Sequence, residues 1–145
     1  MNPTARRHAR QYALQAMYQW QISASPIAEI ELDFLVHHIK QKTDVAYFKE
    51  LIHGIPREQE TLDNHMRPFL SRPIAELDPV ELGILRLGIY ELAHRLDVPY
   101  RVAINEALEL TKRFGSVEGY KFVNGILDQV ARGLRSDEIK AEKKS

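Results

Sequence analysis

The sequence predicts an all-α fold of about seven helices forming two packed three-helix bundles. Apolar residues recur at helical spacing along most of the chain, and no alternating strand pattern is visible. Ser-Pro, Asp-Pro and Gly mark the starts and stops between the periodic runs.

Pro3-Thr4 opens the first helix, which runs to about Gln21 with Ala9, Ala13, Ala16, Met17 and Trp20 on one inward face. Ser25-Pro26 reads as an N-cap with Pro at N1 and starts a second helix through about His38. Thr43 or Asp44 caps a third, carrying Tyr47, Phe48, Leu51 and Ile52. Gly54 and Pro56 should bend or break it before apolar positions resume at Leu62, Met66 and Leu70. Ser71-Arg72-Pro73 is a joint, followed by a short turn from Ile74 to Leu77.

Asp78-Pro79 caps the next helix. In it, Leu82, Leu85, Ile89, Leu92 and Leu96 form one stripe, and Val80, Ile84 and Leu87 form a second, roughly 150° away at ~100° per residue. A helix apolar on two sides belongs at the centre of its layer. Val98-Pro99 starts a helix through Phe114 that Gly115 ends. Ser116 opens the last, with Val123, Ile126, Leu127, Val130 and Leu134 inward. The expected organisation is one domain over 1–145. An N-terminal subdomain covers about 1–70, a C-terminal one about 74–135, and a charged tail at 136–145 lacks an apolar face and is expected to be disordered.

At 145 residues, 44% apolar and 28% charged, the chain can bury a core. Lys plus Arg, 20, balances Asp plus Glu, 20, so any nucleic-acid site must be a local patch rather than a charged coat. The absence of cysteine removes disulfides, thiolate nucleophiles and cysteine-ligated zinc, and suits a reducing cytoplasm. No signal peptide and no membrane-spanning run is expected, so the expected location is cytoplasmic.

For catalysis the sequence offers little. The serines lie mostly at helix caps or ends, and no glycine-rich phosphate loop is present. Glu50-Leu51-Ile52-His53 and Glu91-Leu92-Ala93-His94 both read Glu-x-x-His, the pair that di-metal carboxylate bundles use. Glu91 and His94, however, fall away from the Leu82/Leu85/Ile89 stripe, and so short a motif arises by chance among 20 acids and six histidines. A di-metal helical-bundle enzyme is thus a remote alternative. No catalytic residue, metal ligand or cofactor is assigned.

Ala5-Arg6-Arg7-His8-Ala9-Arg10 places three arginines in the first turns of a helix, where cations oppose the macrodipole by roughly 0.3–1 kcal/mol each when exposed. Charge at the wrong pole points to an external anion, and arginine's planar fork suits phosphate and unpaired bases. A solvated basic end explains the motif equally well. Lys112-Arg113-Phe114 and Tyr120-Lys121-Phe122 mix base with aromatic in the manner of single-strand recognition, with Glu118 opposing. On the first helix, Leu14 and Tyr18 fall on the side away from Ala13, Ala16 and Met17, which suggests a contact surface, with packing by the other bundle an equal explanation.

Three runs resemble the NusB family of bacterial transcription antitermination factors. They are Ala5-Arg6-Arg7-x-Ala9-Arg10 with Ala13-Leu14-Gln15-Ala16-Met17-Tyr18, then Asp97-Val98-Pro99-Tyr100-Arg101-Val102-Ala103-Ile104-Asn105-Glu106-Ala107, and Lys121-Phe122-Val123-Asn124-Gly125-Ile126-Leu127-Asp128. The resemblance implies binding of single-stranded BoxA RNA of ribosomal RNA operons together with NusE, a small-subunit ribosomal protein, within an RNA polymerase antitermination complex. It implies that Arg6, Arg7 and Arg10 with Lys121 and Phe122 contact RNA, Phe114 joining them, and that Tyr18 and Glu81 face NusE beside Leu14. His8 stands where other members carry a further arginine, and near neutral pH it is only partly charged. The alternative is a protein–protein adaptor with little RNA affinity of its own, and an exposed helix face would also serve a homodimer. Methyltransferases that share this fold carry a cofactor-binding glycine loop and cysteines, which this chain lacks.

Overall fold

The structure, a computed structural model, describes residues 2–40 and 42–144. Those residues form eight α-helices and two 3-10 turns, with no strand. The chain divides into two compact units, Met1–Glu58 and Gln59–Ser145. This division falls before the Ser71–Pro73 joint, so the helix carrying Leu62 and Met66 belongs to the second unit rather than the first.

The first unit holds α1 (Pro3–Ser23), α2 (Ile27–His37) and α3 (Val45–Arg57), each packed on the other two. Asn2 caps α1, its Oδ1 accepting the Thr4 and Ala5 amides at 2.8 and 3.3 Å, with Pro3 at N1. Ser25 does not cap α2: its amide donates instead to Ser23 Oγ, and Pro26 stands at the cap position without a side-chain bond. Asp44 caps α3 by accepting the Tyr47 amide at 3.0 Å. Gly54 and Pro56 do not break α3 where they stand. Pro56 lies in the last turn, and the helix ends just after it at Arg57. The core combines Ala9, Ala13, Ala16 and Met17 with Ile30, Phe34, Phe48, Leu51 and Ile52, and the Phe34 and Phe48 rings lie 6.0 Å apart.

The second unit holds α4 (Gln59–Met66), α5 (Pro79–His94), α6 (Tyr100–Phe114), α7 (Val117–Leu134) and α8 (Ser136–Lys144), with 3-10 turns at Arg67–Phe69 and Ile74–Glu76. Helices α5, α6 and α7 occupy the range expected for the C-terminal subdomain and pack on one another, and α4 and α8 join them in this unit. Helix α5 is central, contacting α4, α6 and α7, and every residue from Gly83 to Leu92 is buried. Leu96 leaves the predicted stripe: it follows the end of α5 and is 69% exposed. Gly88 lets α7 approach closely, since a Cβ there would meet Leu127 Cδ1 at 3.0 Å. Arg86 binds Asp63 in a buried fork, Nε to Oδ1 and Nη2 to Oδ2 both at 2.9 Å, tying α4 to α5.

The tail is helical rather than disordered over its described residues, and polar bonds replace the apolar face it lacks. Buried Arg135 donates to the carbonyls of Glu91, Leu92, Arg95 and Val98 at 2.8–3.2 Å, closing the open end of α5. Glu138 accepts from Arg135 and from the Tyr100 amide at 2.8 Å, which caps α6 where Pro99 cannot. Glu142 is gripped by Arg101 Nε at 2.9 Å and accepts from the Tyr100 hydroxyl at 3.1 Å.

The bond from Arg101 holds the Glu142 carboxyl below its ordinary range. A depressed carboxyl contributes stability above its unfolded pKa of about 4.3 and loses it as pH falls through the lower folded value. Hydrogen exchange over α8 should therefore quicken on acidification below about pH 4, and Glu142→Gln should remove much of that dependence.

Candidate nucleic-acid interface

At the start of α1 the three arginines have different environments. Arg6 lies with its Cζ 4.3 Å from the Tyr47 ring centroid and its Nε 3.8 Å from Asp44 Oδ2. Arg10 is only 4% exposed and lies over the same ring at 5.6 Å. Arg7 is exposed. Charge at the wrong helix pole therefore has an internal partner: Tyr47 supplies a π face, and Asp44 a carboxylate whose other oxygen caps α3. The Asp44 amide also donates to the Ala5 carbonyl at 3.0 Å, fixing the start of α3 beside the start of α1. Helical periodicity places Tyr47 on the apolar face of α3, but nothing in one dimension shows that it underlies two arginines.

In the second unit, α6 ends and α7 begins with a mixed basic and aromatic surface. Lys121 is exposed, whereas Phe114 and Phe122 are half-buried. Arg113 lies over the Phe114 ring at 5.4 Å and Lys112 over the Tyr120 ring at 5.8 Å. Lys112 also pairs with Glu109 at 3.3 Å. Ser116 caps α7 by accepting the Gly119 amide at 2.9 Å.

The residues expected to face a protein separate in the same way. Tyr18 is 42% exposed and lines a cleft of about 410 Å³ with Gln15, Gln19, Ile22, Phe34 and His38. Leu14 corrects the sequence reading, because it is buried at 2% exposure. Its side of α1 is covered, so it is a core residue. Glu81 is half-buried in the first turn of α5, and an ideal Cβ on Gly119 would stand 2.5 Å from its Oε2. Gly119, to which the sequence reading assigned no role, is what lets this carboxylate lie against the first turn of α7. Burial, and then the neighbouring Asp78, push the Glu81 carboxyl above its ordinary pKa.

The two Glu-x-x-His pairs lie in different units. His53 Nε2 approaches Glu31 Oε2 at 3.0 Å, while His94 is exposed and in ring contact with Tyr90. Among the described residues no group of three or more His, Asp or Glu is placed to hold a metal ion. No helix among them is long and apolar enough to cross a membrane.

The NusB family profile matches residues 7–132. The chain belongs to the NusB family. It is 53% identical over 135 residues to the transcription antitermination protein NusB of Marinobacter nauticus, covering 93% of this chain and 85% of that protein. It is 51% identical to the Yersinia pestis NusB, covering 93% and 98%. The solved Thermotoga maritima NusB superposes with a TM-score of 0.76 at 30% identity, over 91% of this chain and 92% of the other. A NusB chain solved with NusE and double-stranded RNA gives a TM-score of 0.81 at 27% identity, over 91% and 99%. NusB proteins are transcription antitermination factors and not enzymes, which sets aside the di-metal reading. Arg135 and the helix it secures lie beyond the matched residues.

Proposed function

We propose that the chain is a cytoplasmic transcription antitermination factor that binds BoxA RNA of ribosomal RNA operons together with NusE, within an RNA polymerase complex. The chief support is its likeness, across nine-tenths of its length, to a NusB chain solved with NusE and RNA. The RNA there is double-stranded, whereas base and aromatic together on one surface suit an unpaired strand. In this reading Arg7 and Lys121 supply the exposed phosphate contacts and the half-buried rings of Phe114 and Phe122 stack on bases. Arg6 and Arg10 act mainly by fixing the start of α1 on Tyr47. Tyr18 and Glu81 face NusE.

A second reading has its own observation. With Arg10 covered and Arg6 engaged by Asp44, little cationic surface remains on α1, so RNA affinity arises mostly within the NusE complex. Titrating single-stranded and duplex BoxA oligonucleotides with and without NusE separates the two.

Two or three phosphate contacts on a single strand give a log–log salt slope of roughly −1.5 to −2. Arg7→Ala and Lys121→Ala should each weaken binding about tenfold, since a charge-assisted bond is worth about 1.5–3 kcal/mol. Helicity should not change, because both side chains are exposed. Unaltered affinity in the double variant would remove the assignment. Arg10→Ala, by contrast, should lower stability before it alters the salt slope.

A further inference from the structure

We infer that the outer face of α7, from Lys121 to Arg132, is a track for a phosphodiester backbone, and that α8 competes for its cleft through Glu142. This rests on the RNA reading above and extends it beyond the basic and aromatic surface at the start of α7. Lys121, Gly125, Asp128 and Arg132 follow at i, i+4, i+7 and i+11, on the side opposite buried Val123, Leu127 and Val130.

Gly125 is the first sign of a ligand. Glycine inside a helix is destabilising relative to alanine, and it is kept where another backbone or a ligand must come close. At Gly88 the cause is internal, since a Cβ would crowd Leu127; at Gly125 an added Cβ would meet nothing within 4 Å. The exposed space beside Gly125 is open to a molecule from outside the chain. Gly133 is similarly open but stands next to the helix end at Leu134, where glycine is ordinary.

The second sign adjoins it. A cleft of about 500 Å³ opens beside this face, lined by Arg101, Asn105, Asn124, Asp128, Arg132 and Lys143. Asn105 and Asn124 are exposed in this lining, where side-chain amides suit ribose hydroxyls and base edges. Both guanidinium groups already hold an oxyanion: Arg132 Nη2 meets Asp128 Oδ2 at 2.8 Å, and Arg101 Nε meets both Glu142 oxygens at 2.9 Å. Exposed ion pairs bind weakly, and phosphate fits the same fork. Arg101, Arg132 and Lys143 against Asp128 and Glu142 leave the cleft with one positive charge in excess, which favours an anionic ligand. Glu142 rides on α8, so a phosphate at Arg101 displaces the end of the tail.

The full chain should be titrated with single-stranded RNAs of rising length. Gly125→Ala should raise the thermal midpoint yet weaken the longer RNAs about tenfold, a combination that damage to the fold cannot produce. Arg132→Gln should weaken them and flatten the salt slope by about 0.7, the value of one phosphate contact. Glu142→Gln should tighten them about threefold by freeing Arg101. Wild-type affinity and slope in Gly125→Ala and Arg132→Gln, while Arg7→Ala still weakens RNA, would overturn the track and leave the RNA reading intact. No RNA binding by the unaltered chain, either alone or with NusE, would overturn both. Loss of NusE binding in Gly125→Ala with RNA affinity retained would assign the face to a protein, and would also overturn it.

Discussion

Asp63→Ala is expected to destabilise the second unit by about 3–5 kcal/mol, because it leaves the Arg86 guanidinium buried without its carboxylate. The fork is closed at both ends, with two bonds of 2.9 Å, and neither side chain reaches solvent appreciably. A domain's net stability is only about 5–15 kcal/mol, so this loss would be a large fraction of it. Urea denaturation followed by circular dichroism measures the change. The paired replacement Asp63→Leu with Arg86→Met should recover most of the loss, since apolar residues of similar volume often substitute for a buried ion pair at little cost. A single-variant loss below about 1 kcal/mol would mean that the pair is solvated and behaves as a surface one.

Arg135→Ala is expected to cost about 3 kcal/mol or more and to release the tail with it. Hydrogen bonds from a charged donor are worth about 1.5–3 kcal/mol each, although water can rescue some of the carbonyls left behind. Four main-chain carbonyls at the end of α5 and in the turn after it share this one guanidinium, and Glu138 reaches α6 from beside it. Arg135→Lys should recover little, because one ammonium cannot reproduce a planar fork. Thermal melting gives the stability, and hydrogen exchange at Tyr100 and along α8 reports whether both helix ends loosen together. Intact protection of α8 in Arg135→Ala would show that the bonds of Tyr100 and Arg101 to Glu138 and Glu142 suffice to secure the tail.

Much of the fold is legible in one dimension because helices are local objects. The spacing of Ala9, Ala13, Ala16 and Met17, and in α5 of Leu85, Ile89 and Leu92 on one side and Ile84 and Leu87 on the other, states which faces are buried, and the structure buries them; Val80, Leu82 and Leu96, at the ends of the α5 stripes, stay partly or largely exposed. The caps at Asp44, Asp78 and Ser116 are equally local, since each binds an amide within the next turn. Ser25 misled because a Ser-Pro pair signals a helix start without saying which group the serine will bond.

The arginine-rich start of α1 separates what sequence and tertiary structure each decided. By sequence alone, three arginines occupy the wrong pole of a helix, and three runs place the chain in the NusB family. Only the folded first unit shows that Arg10 is buried on Tyr47, that Asp44 answers Arg6, and that Arg7 is exposed. The same holds for Leu14, the Asp63–Arg86 fork and the Arg135 hub. Periodicity reports what a residue does within its own helix, whereas burial, ion pairing and capping across tens of residues depend on which helices meet.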